Sequence, residues 1–216
     1  MYNDPQDVQS SYDRVAAHYA RHFEHEQDHK PMDRQMLDRF SERLGGQGAV
    51  CDLGCGPGQI ARYLHTHGVS EVFGIDLSPQ MVAEALRYSP GISFRQGNML
   101  ALTDADCSWA GATAFYSIVH FSLDQVRQAF QEVYRVLQPG GFLLIAFHIG
   151  EEIVHIEDWW EQEVDLNFVF FLTREIEALL REIGYRVEEV MEREPYPEIE
   201  HPSRRAYILA SRPVKS

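Results

Sequence analysis

The chain has 216 residues, of which 33 are acidic and 19 are basic, so its formal net charge is −14. Nucleic acids and anionic membranes are bound mainly through Lys and Arg, and we therefore expect neither as a partner. A neutral or positively charged small molecule fits this balance better, and the length fits one α/β domain. No basic segment followed by an apolar one opens the sequence, and no apolar run reaches the length of a bilayer crossing, so we expect a cytoplasmic protein.

The N-terminal part of the chain is predicted to form a helical cap over residues 1–45. Apolar and aromatic residues recur at helical spacing, which indicates one helix from Ser10 and a second from Pro31. Four histidines share one face of the first helix: His18, His22, His25 and His29. Histidines at i and i+4 are a workable metal-ligand pair. Because no identifiable acid and histidine elsewhere complete such a site, we favour a solvated helix face and expect no metal.

The most informative segment is an apolar run that ends in Asp52 and enters a loop with three alternating glycines: Gly54, Gly56 and Gly58. A helix is predicted near 59–67. Glycines in such a loop bring backbone N–H groups close to a ligand at a helix N-terminus, which favours a small, partly anionic group. Gln59 stands where a dinucleotide-binding fingerprint has its third glycine, and this departure argues against a nicotinamide enzyme.

The cysteines lack metal-ligand spacing and are expected to be reduced: Cys51, Cys55 and Cys107.

Four further landmarks follow this loop. A second strand ends in Asp76 and leads into a helix near 79–88, with a serine and a proline at its start. Another strand enters the turn 97–99, a fourth ends before His120, and a Leu-x-Pro-Gly-Gly segment at 137–141 leads into an apolar strand. Strands that alternate with helices in this way are typical of a parallel sheet with helices on both faces.

Together these segments cover residues 48–150 and resemble, in order, the motifs of class I S-adenosylmethionine-dependent methyltransferases, which begin with acid-x-Gly-x-Gly-x-Gly. The resemblance implies a Rossmann-like, doubly wound α/β fold. Its seven-stranded sheet is mostly parallel, with an antiparallel C-terminal strand inserted between the fifth and sixth. The resemblance also implies S-adenosylmethionine as the cofactor and a cofactor-binding core over 46–148. The residues expected to contact the cofactor are Tyr12, Tyr19, Asp52, Gly54, Cys55, Gly56, Gly58, Asp76, Leu77, Met81, Gly97, Asn98, Met99, Phe115 and Tyr116.

The resemblance implies roles for several of these residues. Asp76 is expected to accept hydrogen bonds from both ribose hydroxyls, because a carboxylate accepts two at once. Asn98 replaces the acid that meets the adenine amine, and its amide oxygen is still an acceptor, while Met99 is expected to pack on the ring. Tyr12 and Tyr19 match a family habit in which N-terminal tyrosines close over the cofactor. Core packing is the alternative for both tyrosines.

The remaining chain is divided into an acidic, aromatic insert over 149–172 and a C-terminal unit over 173–216. The insert is predicted to form a substrate lid, and docking on the sheet or a dimer contact is the alternative. A helix near 173–183 and two antiparallel strands are predicted for the C-terminal unit, and we expect a monomer or a homodimer. The candidates for substrate contacts are His148, His155, Trp159, Trp160, Phe171 and Arg205.

The predicted function is methyl transfer to an oxygen or nitrogen atom of a small molecule. Such a displacement requires mainly the alignment of its partners and the exclusion of water. His120 is the candidate general base, because it follows the fourth strand and an imidazole titrates near neutral pH. A helix cap, or packing against the cofactor, is the alternative for this residue. Rival functions are methylation of a protein, a non-catalytic S-adenosylmethionine-binding module and a nicotinamide-dependent oxidoreductase.

Overall fold

The computed structural model of the protein describes residues 3–46 and 48–214. The strands are β1 (Val50–Leu53), β2 (Val72–Asp76), β3 (Ser93–Gln96), β4 (Trp109–Phe115), β5 (Leu137–His148), β6 (Ile153–Trp159), β7 (Gln162–Val169), β8 (Arg186–Arg193) and β9 (Arg205–Ser211). The α-helices are α1 (Pro5–His22), α2 (Pro31–Leu44), α3 (Gln59–Thr66), α4 (Pro79–Tyr88), α5 (Leu123–Val136) and α6 (Thr173–Ile183), and a short 3₁₀ helix covers Glu26–His29.

Seven strands form one sheet in the order β3-β2-β1-β4-β5-β9-β8. The first five pair in parallel, whereas β9 runs antiparallel to both β5 and β8. The predicted Rossmann-like, seven-stranded fold is therefore confirmed, including the last strand inserted between the fifth and sixth strands of this sheet. The carboxyl ends of the parallel strands lie at one edge, which is where ligands bind in sheets of this kind.

The core is divided between the two faces of the sheet because side chains alternate along each strand. In β5, Leu143, Ile145 and Phe147 pack with α5 and α6, whereas Leu144 and Ala146 pack with α2 and α3. All five are fully buried. Burial on both faces explains why this strand is a continuous apolar run in the sequence.

None of the α-helices in the described part of the chain combines the length and the apolar character needed to cross a bilayer.

Helix α1 begins earlier than predicted, at Pro5 rather than Ser10. The side chain of Asp4 accepts a hydrogen bond of 2.8 Å from the backbone N–H of Gln6, and Pro5 occupies the first helical position. An acidic N-cap followed by proline is a local start signal, so this boundary was readable from the sequence. The helix also ends at His22, so that the last two histidines of the predicted helical face lie outside it.

The insert folds into an antiparallel hairpin of β6 and β7, separate from the main sheet. It packs against α1, where Val164 and Leu166 are buried with Val15. The hairpin and α1 together cover the carboxyl edge of the sheet, and they form the outer wall of the cavity described next.

Candidate active site

A cavity of about 700 Å³ lies at the carboxyl edge of the sheet, beneath α1 and the hairpin. It is lined by most of the residues predicted to form the site: Tyr12, Tyr19, Asp52, Gly54, Cys55, Gly56, Asp76, Leu77, Met81, Gly97, Asn98, Met99, Phe115, Tyr116, His120, His148, Trp159, Trp160 and Arg205. These residues come from both halves of the chain, and the topology brings them together because their strands end at the same edge.

The three glycines of the loop after β1 have different roles. All have positive φ angles, of 64° at Gly54, 51° at Gly56 and 83° at Gly58. A Cβ added at Gly54 would lie 2.4 Å from the Cβ of Ser117, so this position requires glycine for packing. A Cβ at Gly56 would meet no described atom within 4 Å, and Gly56 lines the cavity. Its missing side chain therefore leaves space for a ligand rather than for a neighbouring residue.

Gly58 does not line the cavity, and its prediction as a ligand contact is corrected. It is the N-cap residue of α3 in the left-handed conformation. A Cβ there would lie 2.7 Å from the ring of Phe94. The packing of α3 against the sheet, rather than a ligand, therefore accounts for this glycine.

Asp76 ends β2 and holds the glycine loop. Its carboxylate accepts hydrogen bonds of 2.8 Å from the backbone N–H groups of Gly56 and Ser78. Burial raises the pKa of Asp76 to about 6, although these two N–H groups oppose the shift. A carboxylate has about four acceptor positions. Two of them are therefore available to a ligand in the cavity.

Asp52, at the end of β1, carries a buried acceptor that the described residues do not satisfy. Its Oδ1 accepts a hydrogen bond of 2.9 Å from the hydroxyl of Thr113, whereas Oδ2 has no hydrogen-bond partner among these residues. Burial raises the pKa of Asp52 to about 7, opposed by the Thr113 hydroxyl and by the nearby backbone N–H of Ala61. An unpaired buried oxygen is costly, so the cavity offers an acceptor to a ligand that brings a donor.

Asn98 and Met99 lie at the end of the cavity next to β3. The Oδ1 atom of Asn98 accepts a hydrogen bond of 2.9 Å from the backbone N–H of Leu100, which closes a local turn. The same oxygen has a second lone pair, so it remains an acceptor for an amine. Met99 also lines the cavity, which is compatible with its predicted packing on a flat ring.

His120 is buried, with 5% of its surface exposed, and its ring is held from both sides. The Nδ1 atom lies 3.0 Å from the backbone carbonyl oxygen of Asn167. A carbonyl oxygen can only accept a hydrogen bond, so Nδ1 carries the proton that is donated to it. Nε2 is therefore the acceptor, and the hydroxyl of Tyr12 donates to it over 2.8 Å. Burial lowers the pKa of His120 to about 4, so the imidazole is neutral at pH 7.

The outer wall of the cavity is aromatic. Trp159 lies edge-on to Tyr12 and Tyr19, with ring centroids 5.9 and 5.6 Å apart, and it stacks on Trp160 at 4.9 Å. Phe168 contacts the ring of His120 at 4.9 Å. The hairpin thus encloses the space above His120 with flat apolar surfaces, and the role of the insert as a substrate lid stays a prediction.

Two predicted substrate contacts lie outside the cavity and are corrected. His155 is exposed on the opposite face of β6, because its neighbours Val154 and Ile156 face inward and side chains alternate along a strand. Phe171 is 4% exposed and packs in the core, where its ring centroid lies 6.5 Å from that of Phe147. The same alternation in β7 was the sequence signal that Phe168 faces the cavity.

The end of the cavity beside β5 and β9 is charged, and its members were mostly not predicted. Lys30 and Arg205 line the cavity with 5% and 2% of their surfaces exposed. Glu200 contacts both, at 4.0 Å from Lys30 Nζ and 3.2 Å from Arg205 Nη2. No motif singles out Lys30 or Glu200, because each becomes part of the site only when the N-terminal helices and the loop before β9 meet.

No group of three or more His, Cys, Asp or Glu side chains in residues 3–46 and 48–214 is arranged to hold a metal ion. The exposed His18 instead stacks on Trp160, with ring centroids 4.6 Å apart. The thiols of Cys51, Cys55 and Cys107 are free.

The chain is similar to known methyltransferases in sequence. A protein-family model described as a methyltransferase domain matches residues 50–141. The chain is 32% identical over 163 residues to a malonyl-[acyl-carrier protein] O-methyltransferase of Enterobacter lignolyticus, over 73% of the chain and 59% of that protein. It is 33% identical over 165 residues to the O-methyltransferase resE of Aspergillus sclerotiorum, over 72% of the chain and 61% of that protein. The chain thus spans about three fifths of the length of these relatives.

The fold is also found in solved structures. The crystal structure of magnesium protoporphyrin IX methyltransferase from Synechocystis, with S-adenosylmethionine bound, matches with a TM-score of 0.71 and 15% identity. The match covers 98% of both chains. At this identity the likeness concerns the fold.

Proposed function

The chain belongs to the class I S-adenosylmethionine-dependent methyltransferases, and on this premise we propose that it transfers a methyl group to an oxygen or nitrogen atom of a small molecule. The observation that carries the proposal is one continuous cavity that joins Gly56 and Asp76 to His120 and the aromatic wall. A cofactor and its acceptor meet in such a space, and its enclosure favours a small acceptor over a macromolecule. Two relatives are named O-methyltransferases, which favours oxygen as the accepting atom.

The residues at the β1 and β2 ends of the cavity fit the cofactor. When bound, S-adenosylmethionine supplies a methyl group on a positively charged sulfur atom. Asp76 would hold the ribose hydroxyls with its two available acceptor positions. The unpaired Oδ2 of Asp52 would receive a donor such as the ammonium group. Gly56 leaves the space for both contacts.

His120 and Tyr12 would remove the proton of an O–H or N–H acceptor. The proton of the acceptor passes to the Tyr12 oxygen while the Tyr12 proton passes to Nε2 of His120, and Nδ1–H stays bonded to the Asn167 carbonyl. The low pKa of His120 makes it a weak base, but an oxygen that has gained a methyl group is far more acidic than the free hydroxyl. Proton transfer that accompanies methyl transfer to oxygen is therefore downhill, whereas a methylated amine would keep its proton.

The test of this function is calorimetric titration of the protein with S-adenosylmethionine and, in parallel, with NADH. We expect micromolar affinity for the first, on the order of −8 kcal/mol, and none for the second. Screening of small alcohols, phenols, acids and amines by mass spectrometry is then expected to yield a methylated product. Binding of NADH alone, or S-adenosylmethionine binding without methylation of any small molecule, would count against the proposal.

Two glycine variants are expected to fail in different ways. Both positions have positive φ angles, where an L-residue costs about 1–2 kcal/mol. Gly54→Ala adds the overlap with Ser117, so we expect a clearly lower melting temperature. Gly56→Ala carries the positive-φ strain alone, so we expect a smaller drop in its melting temperature, and it is expected to lose S-adenosylmethionine binding because its Cβ enters the cavity. Thermal unfolding and calorimetry measure both effects, and normal cofactor affinity in Gly56→Ala would contradict the assignment.

A further inference from the structure

We propose that Asn3 is a positioning residue, which sets the orientation and the tautomer of His120 by holding the backbone of Asn167. The inference rests on the proposed role of His120 as the base and goes beyond it, because it names a residue that acts through the imidazole. Asn3 lies before α1, at a distance of 117 residues along the chain from His120 and 164 residues from Asn167.

The outer edge of β7 is covered by side chains rather than by another strand. Among the described strands, β7 pairs only with β6. Alternate residues of a strand direct their backbone groups toward the same edge. At this edge, the backbone N–H of Asp165 donates to the hydroxyl of Ser11 on α1 over 3.1 Å. Asn3 takes the next equivalent position, at Asn167, so the N-terminal segment holds the strand at two successive sites.

The side-chain amide of Asn3 satisfies both backbone groups of Asn167. Its Oδ1 atom accepts a hydrogen bond of 2.7 Å from the N–H, and its Nδ2 atom donates to the carbonyl oxygen over 2.8 Å. Nδ2 also donates to the backbone carbonyl of His120 over 3.2 Å. Because Oδ1 faces a donor and Nδ2 faces two acceptors, these partners determine the orientation of the amide. Asn3 thus joins the backbone of His120 to the strand position that receives the imidazole proton.

The same contacts decide the tautomer of His120. Its Nδ1 atom lies 3.0 Å from the carbonyl oxygen of Asn167 and 3.5 Å from Nδ2 of Asn3. Both protons of Nδ2 are directed to carbonyl oxygens, so Asn3 does not donate to the ring. Nδ1 therefore donates to the Asn167 carbonyl, whose two lone pairs accept from Asn3 and His120 at once. Nε2 is left as the acceptor of the Tyr12 proton.

The polar partners of the His120 ring belong to α1 and the hairpin rather than to the main sheet. Tyr12 lies on α1, Asn167 lies on β7, and Asn3 connects the start of α1 to that strand. A base acts efficiently only when it is held within hydrogen-bond distance of the proton that it receives. His120 is therefore oriented for proton transfer when Asn3 is seated against Asn167.

The first test is NMR spectroscopy of the full chain labelled with 15N-histidine, because protonated and unprotonated ring nitrogens have well separated 15N shifts. The signals that disappear in His120→Asn assign this residue among the ten histidines. In the wild type at pH 7 we expect a protonated Nδ1 and an unprotonated Nε2. Asn3→Ala is expected to populate the other tautomer detectably and to accelerate the exchange of Nδ1–H with water by about tenfold.

Ser11→Ala is the matched control, because it removes one side-chain contact with the edge of β7 and none with His120. This variant is expected to keep the wild-type shifts and exchange rate. Asn3→Asp keeps the size of the side chain and the acceptor for the Asn167 N–H, but it loses the NH2 donor. His120 is therefore expected to change as in Asn3→Ala. Circular dichroism reports folding, and Asn3→Asp keeps the test decisive if Asn3→Ala does not fold.

Kinetics with an acceptor found in the screen test whether Asn3 acts through His120. Asn3→Ala is expected to lower kcat by about tenfold, with unchanged affinity for S-adenosylmethionine. In the His120→Asn background, the same substitution is expected to have no further effect on kcat.

Three results would overturn the positioning role of Asn3: wild-type shifts of His120 in Asn3→Ala, an equal change in Ser11→Ala, or additive losses of kcat in the double variant. A protonated Nε2 in the wild type would also overturn it. Full activity of His120→Asn would instead count against the proposed base. The NMR comparison needs no acceptor, so it still decides whether Asn3 sets the tautomer.

Discussion

Replacing His120 by asparagine is expected to lower kcat by about two to four orders of magnitude, which is the usual contribution of a positioned acid or base. The asparagine amide retains a donor for the Asn167 carbonyl but removes the Nε2 acceptor of the Tyr12 proton. Affinity for S-adenosylmethionine is expected to change little, because the groups assigned to the cofactor lie at the ends of β1 and β2. Steady-state kinetics and calorimetry on the same preparations separate the two effects.

The variant Tyr12→Phe tests whether the proton of the acceptor passes through the Tyr12 hydroxyl to His120 or whether His120 has only a structural role. If the acceptor proton passes through the Tyr12 hydroxyl, this variant loses kcat as severely as His120→Asn does. Tyr134→Phe makes the same change on α5, outside the cavity, and serves as its control. Equal losses of kcat and of cofactor affinity in His120→Asn would show that the residue supports the structure or the cofactor instead.

The pH profile gives an independent test of the same assignment. A base acts in its unprotonated form, and the pKa of His120 is lowered by burial from 6.5 to about 4. The kcat at saturating cofactor and acceptor is therefore expected to stay flat between about pH 5 and pH 7, where an ordinary histidine would lose activity. A fall in kcat centred near pH 6.5 would contradict the buried, neutral imidazole.

Asp76→Ala is expected to weaken S-adenosylmethionine binding by roughly 100-fold, or about 3 kcal/mol, because it removes a charged acceptor of two ribose hydrogen bonds. It also removes the acceptor of the Gly56 and Ser78 N–H groups, which holds the loop in position. Asp76→Asn retains the shape and one acceptor, so we expect a smaller loss. Calorimetric titration measures both variants.

The same carboxylate predicts how cofactor affinity depends on pH. The pKa of Asp76 is raised to about 6, and the ionised form is the double acceptor. Affinity is therefore expected to decline as the pH falls through about 6, and this part of the decline is expected to be absent in Asp76→Asn. Asp124→Asn changes an exposed acid at the start of α5 and is the matched control. Unchanged affinity in Asp76→Ala would remove the assignment of this acid to the ribose.

The order of elements and the cofactor end of the site were predictable because their signals are local. An acid at the end of a strand followed by Gly-x-Gly determines a tight turn through backbone geometry alone, and Asp52, Gly54 and Gly56 of this turn line the cavity. Local sequence signals did not predict every feature correctly. Gly58 belongs to the motif but packs α3 against the sheet, and α1 begins at Pro5, before the predicted Ser10, because Asp4 caps it.

The fold class, the glycine loop and the acids beside it follow from the amino-acid sequence, because hydrophobic alternation and turn chemistry act between neighbours in the chain. Which nitrogen of His120 carries a proton depends on tertiary packing, since Tyr12 and Asn167 reach it from 108 and 47 residues away. The same packing brings Lys30 and Arg205 together at the charged end of the cavity. Burial and charge pairing depend on how distant elements pack, and no local pattern encodes that packing.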